Sequence, residues 1–257
     1  MQITFASLAA PGHVNEDYVI AGPTWVAVFD GATPRAGVTS GCIHDVPWLV
    51  SRLASHLSWA LAMDDAVPLA DALAGAIEAT RKAHANTCDL DNPDSPSSTV
   101  TILRQRPNDV DYLVLADSPV LIQADDGLQA ITDDRTAHLP AYTAEAIRAA
   151  RNQPGGFWVA STKPQAAHEA VTGSLPRHTL TRAALVTDGV VRWVDRVHLG
   201  SWDDLAEALF RFGPLHVVDQ IRRAEQEQLP PVSTEPNGRM VKRHDDATVA
   251  LVTWKEC

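Results

Sequence analysis

The chain is short of three things. It has three cysteines in 257 residues, Cys42, Cys88 and Cys257. They are few, odd in number and far apart, so they form neither a disulfide framework nor a zinc-finger spacing, and a reducing compartment is expected. It lacks any apolar run near the ~18 residues of a membrane span. It is also poor in basic residues, with Lys+Arg 21 against Asp+Glu 32 and a formal net charge of −11. That balance excludes nucleic acid and anionic membrane as the expected main partners, because both need basic patches. It leaves phosphate-bearing substrates open, since bound cations supply positive charge locally. The ten histidines show no His-x-x-x-His pairing. The N-terminus opens directly on strand-like Gln2 to Ala6 without a signal peptide, and the expected localisation is cytoplasmic.

What is present is a recurring tip. Trp25-Val26-Ala27-Val28-Phe29 is short, β-branched and aromatic, which reads as a buried strand, and it ends in Asp30-Gly31. Ala184 to Val186 leads to Asp188-Gly189, and Tyr112 to Ala116 leads to Asp117-Ser118. His244-Asp245-Asp246 precedes the strand-like run 247 to 254. Aspartates at several strand ends imply a carboxylate cluster at one end of a sheet, suited to a hard divalent cation.

Between these tips the periods alternate. A helix is expected from Asp45, with Pro47 in its first turn and Leu49, Leu53, Leu57 and Leu61 as its apolar stripe. A second is expected over 68–85. Runs at 98–104, 110–116, 120–123 and 127–132 read as strands of an antiparallel meander joined by hairpins. A short helix is expected at 143–152 and a strand at 179–187. Ser201 and Asp204 resemble a capping box opening a helix. A further helix covers 214–228, and 229–238 reads as loop. Paired helices between antiparallel runs predict an α+β sandwich in a single domain over residues 1–257.

The ordered set Asn15-Glu16-Asp17, Val28-Phe29-Asp30-Gly31, Ser98-Thr99, Ala116-Asp117-Ser118, Val186-Thr187-Asp188-Gly189 and Asp245-Asp246-Ala247-Thr248-Val249 resembles the metal-dependent protein phosphatases of the PP2C (PPM) family, bacterial type. The resemblance implies a four-layer αββα sandwich of two antiparallel sheets flanked by helix pairs. It implies hydrolysis of a phosphomonoester, foremost phosphoserine or phosphothreonine in a protein, with two Mn²⁺ or Mg²⁺ ions and a third held loosely. By similarity Asp30 bridges both ions and the Gly31 carbonyl binds one. Asp188 and Asp245 complete the other shell, Glu16 orients metal-bound water, Asp17 supports it, and Asp117 serves the third ion.

The sequence departs from the family around the substrate. The arginine expected ahead of Glu16 is Gly12, the histidine that often follows Asp-Gly is Ala32, and an aspartate common after the second Asp-Gly is Arg192. His13, Arg35 and Arg192 are the candidate replacements for holding substrate phosphate. These departures motivate two alternatives: a phosphatase of small-molecule phosphates, and a pseudophosphatase that binds a partner without hydrolysis.

Overall fold

The computed structural model describes residues 1–33, 37–235 and 238–254. In chain order the strands and α-helices are β1 (Gln2–Leu8), β2 (Tyr18–Ala21), β3 (Trp25–Ala32), α1 (Val46–Met63), α2 (Leu69–His84), β4 (Ser97–Gln105), β5 (Asp109–Leu115), β6 (Val120–Ala124), β7 (Gly127–Ile131) and α3 (Ala144–Ala150). They continue with β8 (Val171–Pro176), β9 (Leu180–Val186), α4 (Asp188–Asp195), α5 (Trp202–Phe212), α6 (Pro214–Gln228), β10 (Val232–Thr234), β11 (Met240–Lys242) and β12 (Ala247–Thr253).

Two five-stranded antiparallel sheets form, in the orders β1-β12-β9-β6-β7 and β2-β3-β4-β5-β8. Side-chain alternation along each strand explains how they stack. In β3, Trp25, Ala27 and Phe29 face one way, onto the leucine stripe of α1 and onto Leu73 and Ile77 of α2. Val26 and Val28 face the other way and meet Ala183 and Leu185 of β9 and Ala250 and Val252 of β12. The opposite face of the β9–β12 sheet, through Ala184, Val186, Val249 and Leu251, packs on Leu205, Leu209, Val217 and Ile221 of α5 and α6. The layers are therefore helix, sheet, sheet, helix, as expected.

The helix ends follow local chemistry. Asp45 Oδ1 accepts from the Trp48 N–H at 2.9 Å, which starts α1. The Ser201–Asp204 capping box is fully formed at the start of α5.

Three readings of the sequence are corrected. Residues 98–132 are no continuous meander: β4 and β5 pair in one sheet, β6 and β7 in the other, so Asp117-Ser118 crosses between sheets. α4 was not foreseen. Part of the stretch expected to be loop belongs to a β10–β11 hairpin.

One buried ion pair holds a sheet edge. Arg104 is buried and bonds Asp111 at 3.1 Å, which also accepts from Arg106 at 2.6 Å and Ser174 at 2.9 Å. Burial alone would raise the Asp111 carboxyl, but the bonds from Arg106, Ser174 and Arg104 outweigh it and hold it below its ordinary value. Removing this partner strands the Arg104 charge. Asp111→Ala is therefore expected to lose about 3 kcal/mol in urea unfolding, whereas the exposed neighbour change Asp109→Ala stays within about 0.5 kcal/mol. Equal losses would contradict this account of the pair.

Candidate active site

The two sheets part at one end, and the acidic tips line that rim. Asp30 shares the inward parity of Val26 and Val28, so it continues the inter-sheet face at the point where packing stops. Thr187 follows the inward Leu185, and Asp188 is the first residue of α4. The Asp188 N–H points to Asp30 Oδ2 at 3.3 Å, joining the two sheets across the gap.

Threonines and an aspartate brace this arrangement. The Thr187 hydroxyl donates to buried Asp17 at 2.9 Å and accepts from the Thr248 N–H at 2.9 Å. Asp246 accepts from the Ala10 N–H at 2.7 Å and the Glu16 N–H at 2.6 Å. It thereby fixes the segment that carries Glu16. The Glu16 carboxylate accepts from the Thr33 hydroxyl. Gly31 is required where it stands: a Cβ there would collide with Val46 and meet the Glu16 carbonyl oxygen at 2.5 Å. Asp117 accepts from Thr136 at 2.9 Å, and Thr99 bonds Ser118 at 2.6 Å, tying β4 to the sheet crossing.

The carboxylates crowd one another. Burial raises Asp30 well above its ordinary value, and Asp188, Asp17, Asp245 and Asp117 push it further. Burial also raises Asp17, against bonds from Thr187 and Thr248. Asp188 is pushed up to about 7 by burial and Asp245, against Arg192. Glu16 is raised by burial despite its bond from Thr33. A convergence of hard oxygen donors carrying excess negative charge suits a cation of the Mg²⁺ or Mn²⁺ type. Among the described residues, though, no three of these side chains bring their oxygens within 4.8 Å of one another.

Arg192 is paired with one of these carboxylates. Its guanidinium bonds Asp245 at 2.7 Å, fully buried Glu225 at 2.9 Å, and the Lys242 and Arg243 carbonyls at 3.1 and 2.9 Å. It is buried and fully engaged, so the reading of Arg192 as a substrate-binding cation does not fit its placement. It anchors the β11–β12 loop and pairs with Asp245. Glu225 also receives Arg222 and His244, at 3.3 and 2.6 Å. His13 lies in an exposed turn, its N–H on the Ala10 carbonyl at 3.0 Å. Gly12 in that turn has φ +80, a conformation that disfavours arginine. Arg35 lies outside the described residues. Arg239, not singled out from sequence, stands 3.9 Å from Asp188 and over the Tyr142 ring at 5.4 Å.

The family model of protein phosphatase 2C matches residues 7–229. The chain belongs to this family of metal-dependent protein phosphatases. Among solved structures, it is similar to the PPM Ser-Thr phosphatase MsPP from Mycobacterium smegmatis in complex with cacodylate (15% identity, 99% of each chain, TM-score 0.61). It is also similar to the catalytic domain of the serine/threonine phosphatase PstP in complex with two manganese ions (18% identity, 97% and 96% of the chains, TM-score 0.54). Stp1 from Staphylococcus aureus is a third likeness (11% identity, 99% and 95%, TM-score 0.59). At these identities the likeness establishes the fold. No curated protein matches the chain.

The raised carboxyls set a pH dependence. Folded Asp188, at about 7, keeps a proton that an unfolded aspartate, near 3.8, has released. Between those values the folded state binds more protons, so stability falls as pH rises, and the loss is complete above about 7. Metal-free protein is expected to melt at progressively lower temperature from pH 5 to pH 8. Asp188→Asn is expected to flatten that slope, and Mn²⁺ to raise the melting temperature more at pH 8 than at pH 5. Identical slopes in wild type and variant would refute this reading of the rim.

Proposed function

We propose that this chain hydrolyses phosphoserine or phosphothreonine in proteins, using water activated by two divalent cations, Mn²⁺ or Mg²⁺, at the inter-sheet rim. The observation that carries this reading is the meeting of Asp30 and Asp188 across the sheets, with Gly31 and Glu16 packed beside them. Asp30, the Gly31 carbonyl, Asp188 and Asp245 would hold the ions. When bound, such a pair lowers the pKa of water and neutralises phosphoryl charge.

The chain's own residues do the positioning. Glu16, steadied by Thr33 and by Asp246 beneath its backbone, orients the attacking water. Asp17 holds the Thr187 hydroxyl and so the start of α4. Asp117 would hold a third, looser ion. Ala32 offers no acid, so the leaving oxygen takes its proton from water. Arg239 takes the phosphate-holding role that Gly12 cannot fill, with His13 and Arg35 as the other candidates.

A second reading, a binding protein without hydrolysis, is favoured by one observation: Arg192 already neutralises Asp245. Hydrolysis of p-nitrophenyl phosphate with and without Mn²⁺ separates the two. The proposal expects Mn²⁺-dependent turnover that falls more than about 100-fold in Asp30→Asn and in Asp188→Ala. Turnover that is absent with both Mn²⁺ and Mg²⁺ would favour the binding protein. A phosphopeptide is expected to turn over faster than phosphorylated metabolites, and the reverse would move the substrate to small molecules. Arg239→Ala is expected to raise KM with kcat little changed; an unchanged KM would remove Arg239 from the substrate site.

A further inference from the structure

A different set of ligands gathers in the segment between β3 and α1. Cys42 lies there, and His84 and Cys88 lie at the end of α2 and just beyond it. Cys42 Sγ is 2.9 Å from Cys88 Sγ and 3.5 Å from His84 Nδ1. All three donor atoms fall within 4.8 Å of one another. We propose that Cys42, His84 and Cys88 form a binding site for Zn²⁺, separate from the carboxylate rim.

The donor set selects the ion. Two sulfurs and an imidazole are soft and borderline ligands that suit Zn²⁺ and disfavour Mg²⁺ or Mn²⁺. Tetrahedral zinc, with bonds of about 2.3 Å to sulfur and about 2.0 Å to nitrogen, sets a sulfur–nitrogen edge of about 3.6 Å. The Cys42–His84 separation matches it. The sulfur–sulfur edge is about 3.8 Å, so the two thiols part by roughly 0.9 Å on binding and release their protons to solvent. His44 stands alongside, its ring 6.0 Å from that of His84 and stacked at 3.9 Å on Trp48. The fourth position falls to His44 or to water.

The backbone is already set for the ion. The Cys88 N–H bonds the His84 carbonyl at 3.1 Å, which places both side chains on one side of the helix end. The Asp89 N–H bonds the Gly41 carbonyl at 2.8 Å, and Asn92 bonds the Thr39 carbonyl at 3.1 Å. Two segments far apart in sequence are thus fastened together around the three donors. An ion here staples the segment that leaves Asp30 and Gly31 to α2. Cys42 and Cys88 stand 46 positions apart, which is why their spacing resembled no zinc motif.

The test uses zinc alone. Full-length protein is purified in reducing buffer, loaded with Zn²⁺, stripped of excess by gel filtration and analysed for metal by mass spectrometry. Wild type and Asp30→Asn are both expected to retain one tightly held zinc, and Cys42→Ser/Cys88→Ser to lose it. Co²⁺ in the wild type is expected to show a thiolate charge-transfer band, which reads the site without any variant. The proposal is overturned if wild type retains no zinc, if the double-serine protein retains it equally, or if Co²⁺ shows no thiolate band. A Cys42–Cys88 disulfide in reduced wild-type preparations would overturn it as well. None of these outcomes bears on phosphatase activity, and loss of zinc from Asp30→Asn alone would implicate the rim instead.

Discussion

Everything at the working end of this protein depends on the gathering of like charges where two sheets part. A sandwich packs tightly where both inner faces are apolar, as Val26, Val28, Leu185 and Ala250 show. Where the sheets part, the same inward parity delivers Asp30 rather than another valine. Asp17, Asp188, Asp245 and Asp117 reach the same volume from other elements. Carboxylates in such a place must protonate, pair with cationic side chains or bind metal. Asp245 uses the second device, paired with Arg192, and Asp30, Asp17 and Asp188 stand raised above the ordinary carboxylate value.

Arg192, where the resemblance led to the expectation of an aspartate, puts a buried cation beside these carboxylates. Glu225 arrives from α6 to bind it. A buried ion pair of this kind contributes little net stability over an apolar pair, but it fixes geometry. Here it fixes the 242–245 segment, and with it the place of Asp245. The neighbouring Asp246 works in the opposite direction, accepting the backbone of residues 10 and 16. The two adjacent aspartates therefore hold different parts of the rim.

Much of this was legible in the sequence because it is local. Strand runs ending in Asp-Gly located Asp30 and Asp188, leucine spacing located α1, and Ser201 with Asp204 located the start of α5. What could not be read is long-range. Connection length alone does not say whether two strands stay in one sheet, so Asp117-Ser118 was taken for a hairpin when it crosses the sandwich. The eight residues of α4 are too few to establish a helical period. Arg192 was visible as a departure, but its partner Glu225 lies on another helix, so an engaged guanidinium was read as one open to substrate. The pairing of Cys42 with Cys88 needed the packing of α2 against the segment before α1.

The most direct test of the central claim is an anomalous-scattering map from crystals grown with Mn²⁺. The account requires two manganese peaks flanking the Asp30 carboxylate, roughly 3.5–4 Å apart, with the nearer peak on the Gly31 carbonyl and the other reached by Asp188. A map with full density for Asp30, Asp188 and Arg192 but no manganese peak at the rim would contradict it, and would make the buried carboxylates a protonated cluster balanced by Arg192.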